Sequence, residues 1–440
     1  MRIHPHRIAA FFAMRSRLSP LPPYHVRVSA TIAATSARMQ APMHSPGHVP
    51  AHPTLQRVDA MPNPRSIIRL LLAALLCHAA FCEAADTPST ANRDIVFGMS
   101  APFSGSIGSY GVQMREGVRV CFAKANDAGG VNGRRLRLTS LDDGYEAKAA
   151  AANARTLIEQ DKVFALLAFY GTAPTTAVLP VLDADDVPLI GTISGASVLR
   201  SDPHVFHLRA SYGNETEAII RNLTTIGMTR IAVVYQNDGF GQAGLDGVKA
   251  ALKKMNLSPV GVAAIPRNTT DIDAAVAAIS PLAPQAIVMV TLYRPTAAFV
   301  ERMAALDVHP YYVALSPVGT DQLIQELGKD LSRGIQVAQV VPYPWGDRLA
   351  IVREYKHSMA QYAPGTPLSY YGLEGYMTAK LAVSALQRVG PRLTRKLLVQ
   401  ALHDGPFDLG GYRIDFSSGS NSGSNYVEMS VIGRDGQILN

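Results

Sequence analysis

Between residues 95 and 316 the chain alternates short, apolar, β-branched runs with amphipathic stretches, and the alternation starts afresh half-way along. The first series of runs is IVFGMS (95–100), RLRLTSLD (135–142), VFALLAF (163–169), VPLIGT (187–192) and VFHLRA (205–210). Helical stretches separate them; in one, Ala151, Ala154, Leu157 and Ile158 recur three or four apart or side by side, as one buried helix face requires. Strands that are apolar on both faces and joined through helices build a parallel sheet covered on both sides. The second series is RIAVVYQND (230–238), PVGVAAIP (259–266), QAIVMVTL (285–292) and YYVALS (311–316), with helices predicted over Gly244–Met255, 270–282 and Pro295–Leu306. The Pro-punctuated IQVAQVVPYPWGD (335–347) reads as a crossover, followed by helices over 372–390 and 394–404 and by strands around a Ser/Gly/Asn loop in the tail. The expectation is therefore an α/β protein of two lobes, each woven from discontinuous segments and joined by several connections, which is a hinge arrangement.

Residues 61–85 read as a secretory signal: Arg65 and Arg69 precede the apolar run LLLAALLCHAAF (Leu70–Phe81), and CEA offers small residues for cleavage near Ala84–Ala85. A lipoprotein site at Cys82 fits less well, because Phe81 stands where a small residue is wanted. Residues 1–60, rich in Arg, His, Pro, Ser and Ala, cannot bury a core and read as a disordered extension or as sequence upstream of a true start at Met61. This matters for charge. Residues 1–85 hold nine Lys/Arg and two Asp/Glu, which accounts for the whole formal charge of +7, so residues 86–440 carry 32 of each sign. Nothing there suggests a nucleic-acid surface. Cys121 is the one cysteine beyond the leader; it cannot form an internal disulfide and falls on a helix face as a buried structural thiol. The product is expected in the periplasm, with no membrane anchor or signalling domain following the lobes.

The loop APFSGSIGSYG (101–111) ends the first strand and opens a helix, a place where bare backbone N–H groups can meet a ligand. Its glycines are spaced GxxGxxG rather than GxGxxG, so it is a poor dinucleotide fingerprint. No P-loop, GxSxG, HExxH, CxxC or EF-hand pattern occurs, and His204 and His207 fall on opposite faces of a strand-like run. An enzyme is unsupported, and no cofactor or metal is expected. What remains is a set of strand ends rich in small and hydroxyl residues: FYGTAPTTA (169–177), GTISGAS (191–197), VYQNDGFG (234–241) and TLYRP (291–295). Ligands of parallel α/β sheets sit beyond such carboxyl ends. Thr172 can act as a helix cap or as a donor to a carboxylate, and Tyr110, Tyr170, Phe240 and Tyr293 can wall a small organic ligand.

The segments SAPFSGSIGSYG…ANDAGGVNGRRLRLTSLDDGYEAKAA, VPLIG, RIAVVYQNDGFGQAGLDGV, PRNTTDIDAAVAAI and LEGYMTAKLAVSAL, in that order, resemble the leucine/isoleucine/valine-type periplasmic binding proteins that feed ABC importers. The likeness runs from about Arg93 to Leu439. It implies a type I periplasmic binding fold: two Rossmann-like lobes with parallel sheets, joined by three hinge strands. Lobe 1 would comprise 93–211 and 343–405, and lobe 2 would comprise 212–342 and 406–440. It implies a monomeric solute-binding protein whose partners are a small-molecule ligand and an inner-membrane ABC permease; the alternative is a ligand-sensing module of a receptor or regulator. Carried over by position, the ligand contacts fall on Tyr110, on Phe169, Tyr170, Gly171 and Thr172, on Ile193, Ser194 and Gly195, and on Phe240, Tyr293 and Tyr371. Gly171 stands where the family has a serine. The family's ammonium-holding carboxylate should fall near Ser316 or Pro317, and none is there. Either Glu374 takes that role or the ligand is not an α-amino acid, because a buried ammonium without an anion is costly.

Overall fold

The structure, a computed structural model, describes residues 94–440. The extension expected over 1–60 and the secretory leader expected over 61–85 lie outside the described residues. The chain begins with β1 (Ile95–Ala101), α1 (Gly108–Asp127), β2 (Leu136–Asp142), α2 (Ala147–Arg155), β3 (Ala165–Tyr170), α3 (Thr172–Asp185), β4 (Leu189–Ile193), α4 (Ser197–Arg200) and β5 (Val205–Phe206). These five strands form one parallel sheet in the order β2–β1–β3–β4–β5. Every residue of β3 and β4 is buried, as continuous apolar runs between two helical layers must be.

A second series follows: α5 (Tyr212–Thr225), β6 (Ile231–Asn237), α6 (Gly239–Lys254), β7 (Gly261–Pro266), α7 (Asp273–Ile279), β8 (Ala286–Val290), α8 (Tyr293–Ala305), β9 (Tyr311–Ala314), α9 (Thr320–Ser332) and β10 (Gln336–Gln339). Then come α10 (Ala350–Tyr362), α11 (Tyr370–Val389), α12 (Arg395–His403), the hairpin β11 (Phe407–Asp408) and β12 (Arg413–Ile414), and finally β13 (Glu428–Ile432) and β14 (Ile438–Leu439). The second sheet runs β14–β13–β10–β9–β8–β6–β7. It is parallel from β7 to β10, but β13 and β14 add to it antiparallel, so this lobe departs from the all-parallel expectation at its C-terminal edge.

The late helix α11 returns to the first lobe and crosses α1 at backbone contact. A Cβ on Gly117 would lie 1.9 Å from the Gly372 carbonyl oxygen, and one on Gly375 would lie 2.2 Å from that of Met114. Only glycine at both places lets the helices approach so closely. Cys121 is buried near this crossing, and burial pushes its thiol up to about 12.

The chain passes between the lobes three times: after β5, after β10 and before β13. These segments are tied together. His207 N donates to Asn421 O at 2.8 Å, and Gly423 N donates to His207 O at 2.9 Å. The Tyr412 hydroxyl donates to Val340 O at 3.1 Å and meets Ser424 Oγ at 3.0 Å. The hairpin and the turn after it pack on lobe 1, with Phe416 edge-on to Phe206 at 5.4 Å. We therefore set the third crossing near Ser424, whereas the sequence began the returning segment at 406.

Several boundaries differ from the sequence expectation. Helix α6 starts at Gly239 rather than Gly244, because the Asp238 carboxylate accepts from Phe240 N and Gly241 N, both at 3.0 Å, and caps it there. Strand β5 stops at Phe206, where pairing passes to the 421–423 segment. Helices α9 and α10 went unrecognised in the sequence. Gly117→Ala and Gly375→Ala should each lower stability by roughly 1–3 kcal/mol through overpacking. Urea unfolding followed by circular dichroism checks this; an unchanged midpoint in both would remove the close crossing as a determinant of the fold.

Candidate functional site

The carboxyl ends of both sheets face a cleft, and tyrosines from both lobes fill its centre. Tyr110 sits in the first turn of α1, Tyr170 at the end of β3, Tyr371 in the first turn of α11 and Tyr293 in the first turn of α8. Ring centroids lie 4.6 Å apart for Tyr110 and Tyr371, 5.8 Å for Tyr110 and Tyr170, and 5.9 Å for Tyr110 and Tyr293. Their hydroxyls bond across the cleft. Tyr110 donates to Val318 O at 2.6 Å, Tyr371 to Pro317 O at 3.1 Å, and Tyr293 back to Ser106 O at 2.7 Å. Gly319, at φ 74°, makes room for the first of these, since a Cβ there would lie 2.3 Å from the Tyr110 hydroxyl. Burial raises the hydroxyl pKa values of Tyr110, Tyr170 and Tyr371 far above tyrosine's usual range, so all three stay protonated donors. At the rim, Arg267 lies over the Tyr145 ring at 4.5 Å and pairs with Glu146 at 3.3 Å.

Beside the tyrosines lies a hydroxyl pair. Gly171, at φ 89°, turns the chain out of β3, and Thr172 begins α3 with its Oγ1 2.8 Å from Ser194 Oγ. Gly195 lies against Tyr212, whose N–H donates to the Gly195 carbonyl at 2.9 Å. Tyr212 in turn packs on Phe240, with centroids 5.3 Å apart.

The third component is charged. Arg209, on the first crossing, is only 1% exposed. Its Nη2 donates to Ser316 Oγ at 2.9 Å, and its Nε lies 3.1 Å from Glu374 Oε1, off the line of a hydrogen bond. Nη1 is buried with no hydrogen-bond partner. Glu215 of α5 accepts from Ser316 N at 2.8 Å and from Ser316 Oγ at 3.1 Å. Burial pushes Glu374 up to about 7, an effect that Arg209 only partly offsets. Glu215 is raised for the same reason, against the pull of Arg209 and the Ser316 hydrogen bonds. Burial disfavours the charged form of Arg209, but Glu374 and Glu215 outweigh it and hold the guanidinium charged. The space lined by Arg209, Ser316, Gly319, Tyr371 and Glu374 measures about 10 Å³, room for one water-sized group.

The sequence that builds these two sheets and their cleft matches the family model of periplasmic binding proteins over residues 94–437. The chain belongs to the periplasmic binding protein family. Its fold is the type I periplasmic binding fold, and this fold and family are those of solute-binding proteins rather than enzymes. The chain is similar to a possible leucine/isoleucine/valine-binding protein of Rhodopirellula baltica, at 33% identity and TM-score 0.76, covering 80% of this chain and 98% of that one. It is likewise similar to a substrate-binding periplasmic protein of Ralstonia solanacearum, at 34% identity and TM-score 0.75, covering 79% and 99%. Among curated relatives, an amino acid binding protein of Pseudomonas aeruginosa is 24% identical over 240 residues, which is 53% of this chain. That match spans 64% of the relative, a little under two thirds of its length.

In this periplasmic binding protein the cleft gathers most of the positions singled out in the sequence: Tyr110, Tyr170, Tyr293 and Tyr371 as one aromatic cluster, Thr172 with Ser194, and Ser316 with Glu374 through Arg209. Gly171, Gly195 and Phe240 shape the same walls, and Ile193 is buried at the end of β4. Phe169 points the other way. Successive strand residues face opposite sides, and its ring joins a separate apolar cluster with Leu166, Val178 and Leu189 behind the sheet. Glu374 stands in the cleft but faces a cation of the protein itself. Arg209, Glu215 and Tyr212 went unremarked in the sequence. The available sign was an arginine closing the apolar run VFHLRA just where the chain leaves lobe 1.

The raised Glu374 carboxyl has a pH signature. Its folded-state value, about 7, lies above the ordinary value of 4.5, so the native state holds this proton over that window while the unfolded chain releases it. Stability from this group is complete below about pH 4.5 and is lost as the pH rises through about 7. Urea midpoints measured across that range should fall with pH, and Glu374→Gln should flatten the slope; an identical slope in the variant would refute the assignment.

Proposed function

We propose that this protein is the periplasmic ligand-capturing component of an ABC importer, binding a small polar organic molecule between its lobes by hinge closure and presenting it to an inner-membrane permease. The observation that carries this is the set of tyrosine hydroxyl-to-carbonyl bonds across the cleft: Tyr110 and Tyr371 reach from lobe 1 to the Val318 and Pro317 carbonyls, and Tyr293 reaches back to Ser106. These bonds exist only when the lobes meet, so opening breaks them as a group and closure restores them together. Membership of a solute-binding family supports the same reading, as do relatives named for binding amino acids, including leucine, isoleucine and valine. A ligand enters by opening the hinge, meets the hydroxyls of Thr172 and Ser194 and the tyrosine faces, and shifts the population toward the closed form by its differential affinity. In this reading Tyr110, Tyr170, Gly171, Thr172, Ser194, Gly195, Phe240, Tyr293, Ser316 and Tyr371 form the cleft lining.

A thermal-shift screen of amino acids, amides and organic acids tests the function directly. A true ligand at a hundredfold excess over its Kd should add roughly 2.7 kcal/mol of stability. Closure has a built-in reporter: Trp345, the one tryptophan in the sequence, lies on the second crossing and packs on Tyr343 at 5.2 Å and Tyr370 at 5.6 Å. Its emission should change with the same ligand and the same midpoint. A broad screen with neither a stability gain nor a Trp345 response would refute the proposal.

Thr172→Ala and Tyr293→Ala should each weaken that ligand at least several-fold while leaving the circular dichroism spectrum unchanged. Wild-type affinity in both variants would move the site elsewhere.

A further inference from the structure

We infer that the space between the lobes at Ser106 and Arg294 is a ligand subsite, and that it takes the carboxylate end of a small organic acid whose apolar body lies on Ile107, Leu292 and Pro295; the inference rests on the solute-binding reading above. Three observations carry it. The first is size and placement. The space measures about 370 Å³, within the ~300–1,000 Å³ typical of ligand pockets. Lobe 1 supplies Ser106 and Ile107, from the loop after β1, and lobe 2 supplies the rest, from the ends of β6, β7 and β8 and the start of α8. Residues of this lining also tie the lobes together. Ser106 O accepts from the Tyr293 hydroxyl at 2.7 Å, and Asn268 Nδ2 donates to Glu146 Oε1 at 3.1 Å. The space is therefore assembled only when the lobes meet, and a molecule filling it is held by both.

The second observation is the chemistry of the lining. Ile107, Leu292 and Pro295 are buried and give an apolar wall, while Gln236, Asn268 and Thr270 give neutral amide and hydroxyl groups. Arg294 is the one charged residue in the lining. The carboxylates bonded to the lining stand outside it and are engaged by Arg267. Glu146 lies 3.3 Å from Arg267, and Asp238 lies 3.4 Å from it while accepting from Gln236 Nε2 at 2.7 Å. Asp271, next in the chain to Thr270, is exposed and also outside the lining. Third, Arg294 is oriented but not saturated. Its Nε donates to the Tyr293 hydroxyl at 3.2 Å, the same hydroxyl that donates to Ser106 O, and its Nη groups have no protein partner among the described residues. A guanidinium held at Nε still presents Nη donors, and such planar donors suit a carboxylate. An anion on Arg294 thus acts on the chain of bonds from Arg294 through Tyr293 to Ser106, which couples its binding to closure of the lobes.

The experiment titrates three acids, benzoate, phenylacetate and 4-methylpentanoate, calorimetrically into the full chain at pH 8, each beside its neutral amide, with Trp345 emission as a second readout. At least one acid should bind at least tenfold more tightly than its amide. Arg294→Gln should weaken that acid at least tenfold and bring it level with the amide. Thr270→Trp, which fills the space from an exposed position, should weaken acid and amide alike. Arg302→Gln, which removes an exposed arginine further along α8 and outside the space, should leave the acid affinity unchanged. Wild-type acid affinity in either Arg294→Gln or Thr270→Trp overturns the inference. So does an amide that binds as tightly as its acid, or a loss in Arg302→Gln equal to that in Arg294→Gln. All of these leave the solute-binding reading intact. Absence of binding by all three acids overturns the carboxylate class; the solute-binding reading falls with it only if the broad screen finds no ligand of any kind.

Discussion

The centre of this protein is a guanidinium held out of water between two lobes. Arg209 lies on a crossing segment and touches Glu374 of the first lobe and Ser316 of the second, with Glu215 behind Ser316. Removing one partner of such a buried pair commonly costs about 3–5 kcal/mol, because the other charge is stranded. Neither lobe supplies all the partners, so the cluster is complete only when the lobes meet. The alignment of the halves and the charge state of the cleft are thus set by the same few atoms. The glycine at 319 and the tyrosines above it extend that arrangement outward to the rim.

The closed arrangement is dense. Tyrosine rings occupy the cleft, and Thr172 and Ser194 bond to each other. Wider spaces lie beside the tyrosine cluster, about 370 Å³ next to Ser106 and Arg294 and about 550 Å³ next to Thr172 and Gly239. At the cluster itself a ligand would replace existing bonds. Its net affinity is the difference between what it offers the tyrosine and serine hydroxyls and what they offer one another. Discrimination between ligands grows sharp under such competition, since a molecule that leaves any of these buried groups unmatched bears the cost of that group.

Much of the fold was legible in the sequence because parallel strands buried on both faces are nearly continuous apolar runs: IVFGMS, VFALLAF and QAIVMVTL all fall within a residue or two of observed strands. Helices α9 and α10 were passed over, although α9 is amphipathic with Leu323 and Leu327 buried four apart; Gly328, at φ 69°, interrupts it. The antiparallel β13 and β14 were recognisable as strands but not in direction, which is set by the hairpin and crossing before them. In the site, strand ends and aromatic residues were readable, because ligand-facing loops follow strands in this architecture. Phe169 was misplaced because neighbouring positions on a strand face opposite ways, and motif position alone does not say which. Arg209 was hidden for a different reason. Its partners come from residues 316 and 374, and no local pattern links segments so far apart.

The crossing of α1 with α11 has a consequence for how the chain comes to be folded. Gly117 meets Gly372, so the first lobe cannot close its core until residues beyond 370 are available, and the second sheet gains its last strand only at Leu439. During synthesis, neither half can reach its final packing early. Such long-range contacts slow folding. The core of the first lobe thus sets late relative to the synthesis of its own strands, because α11 must arrive before α1 can be covered.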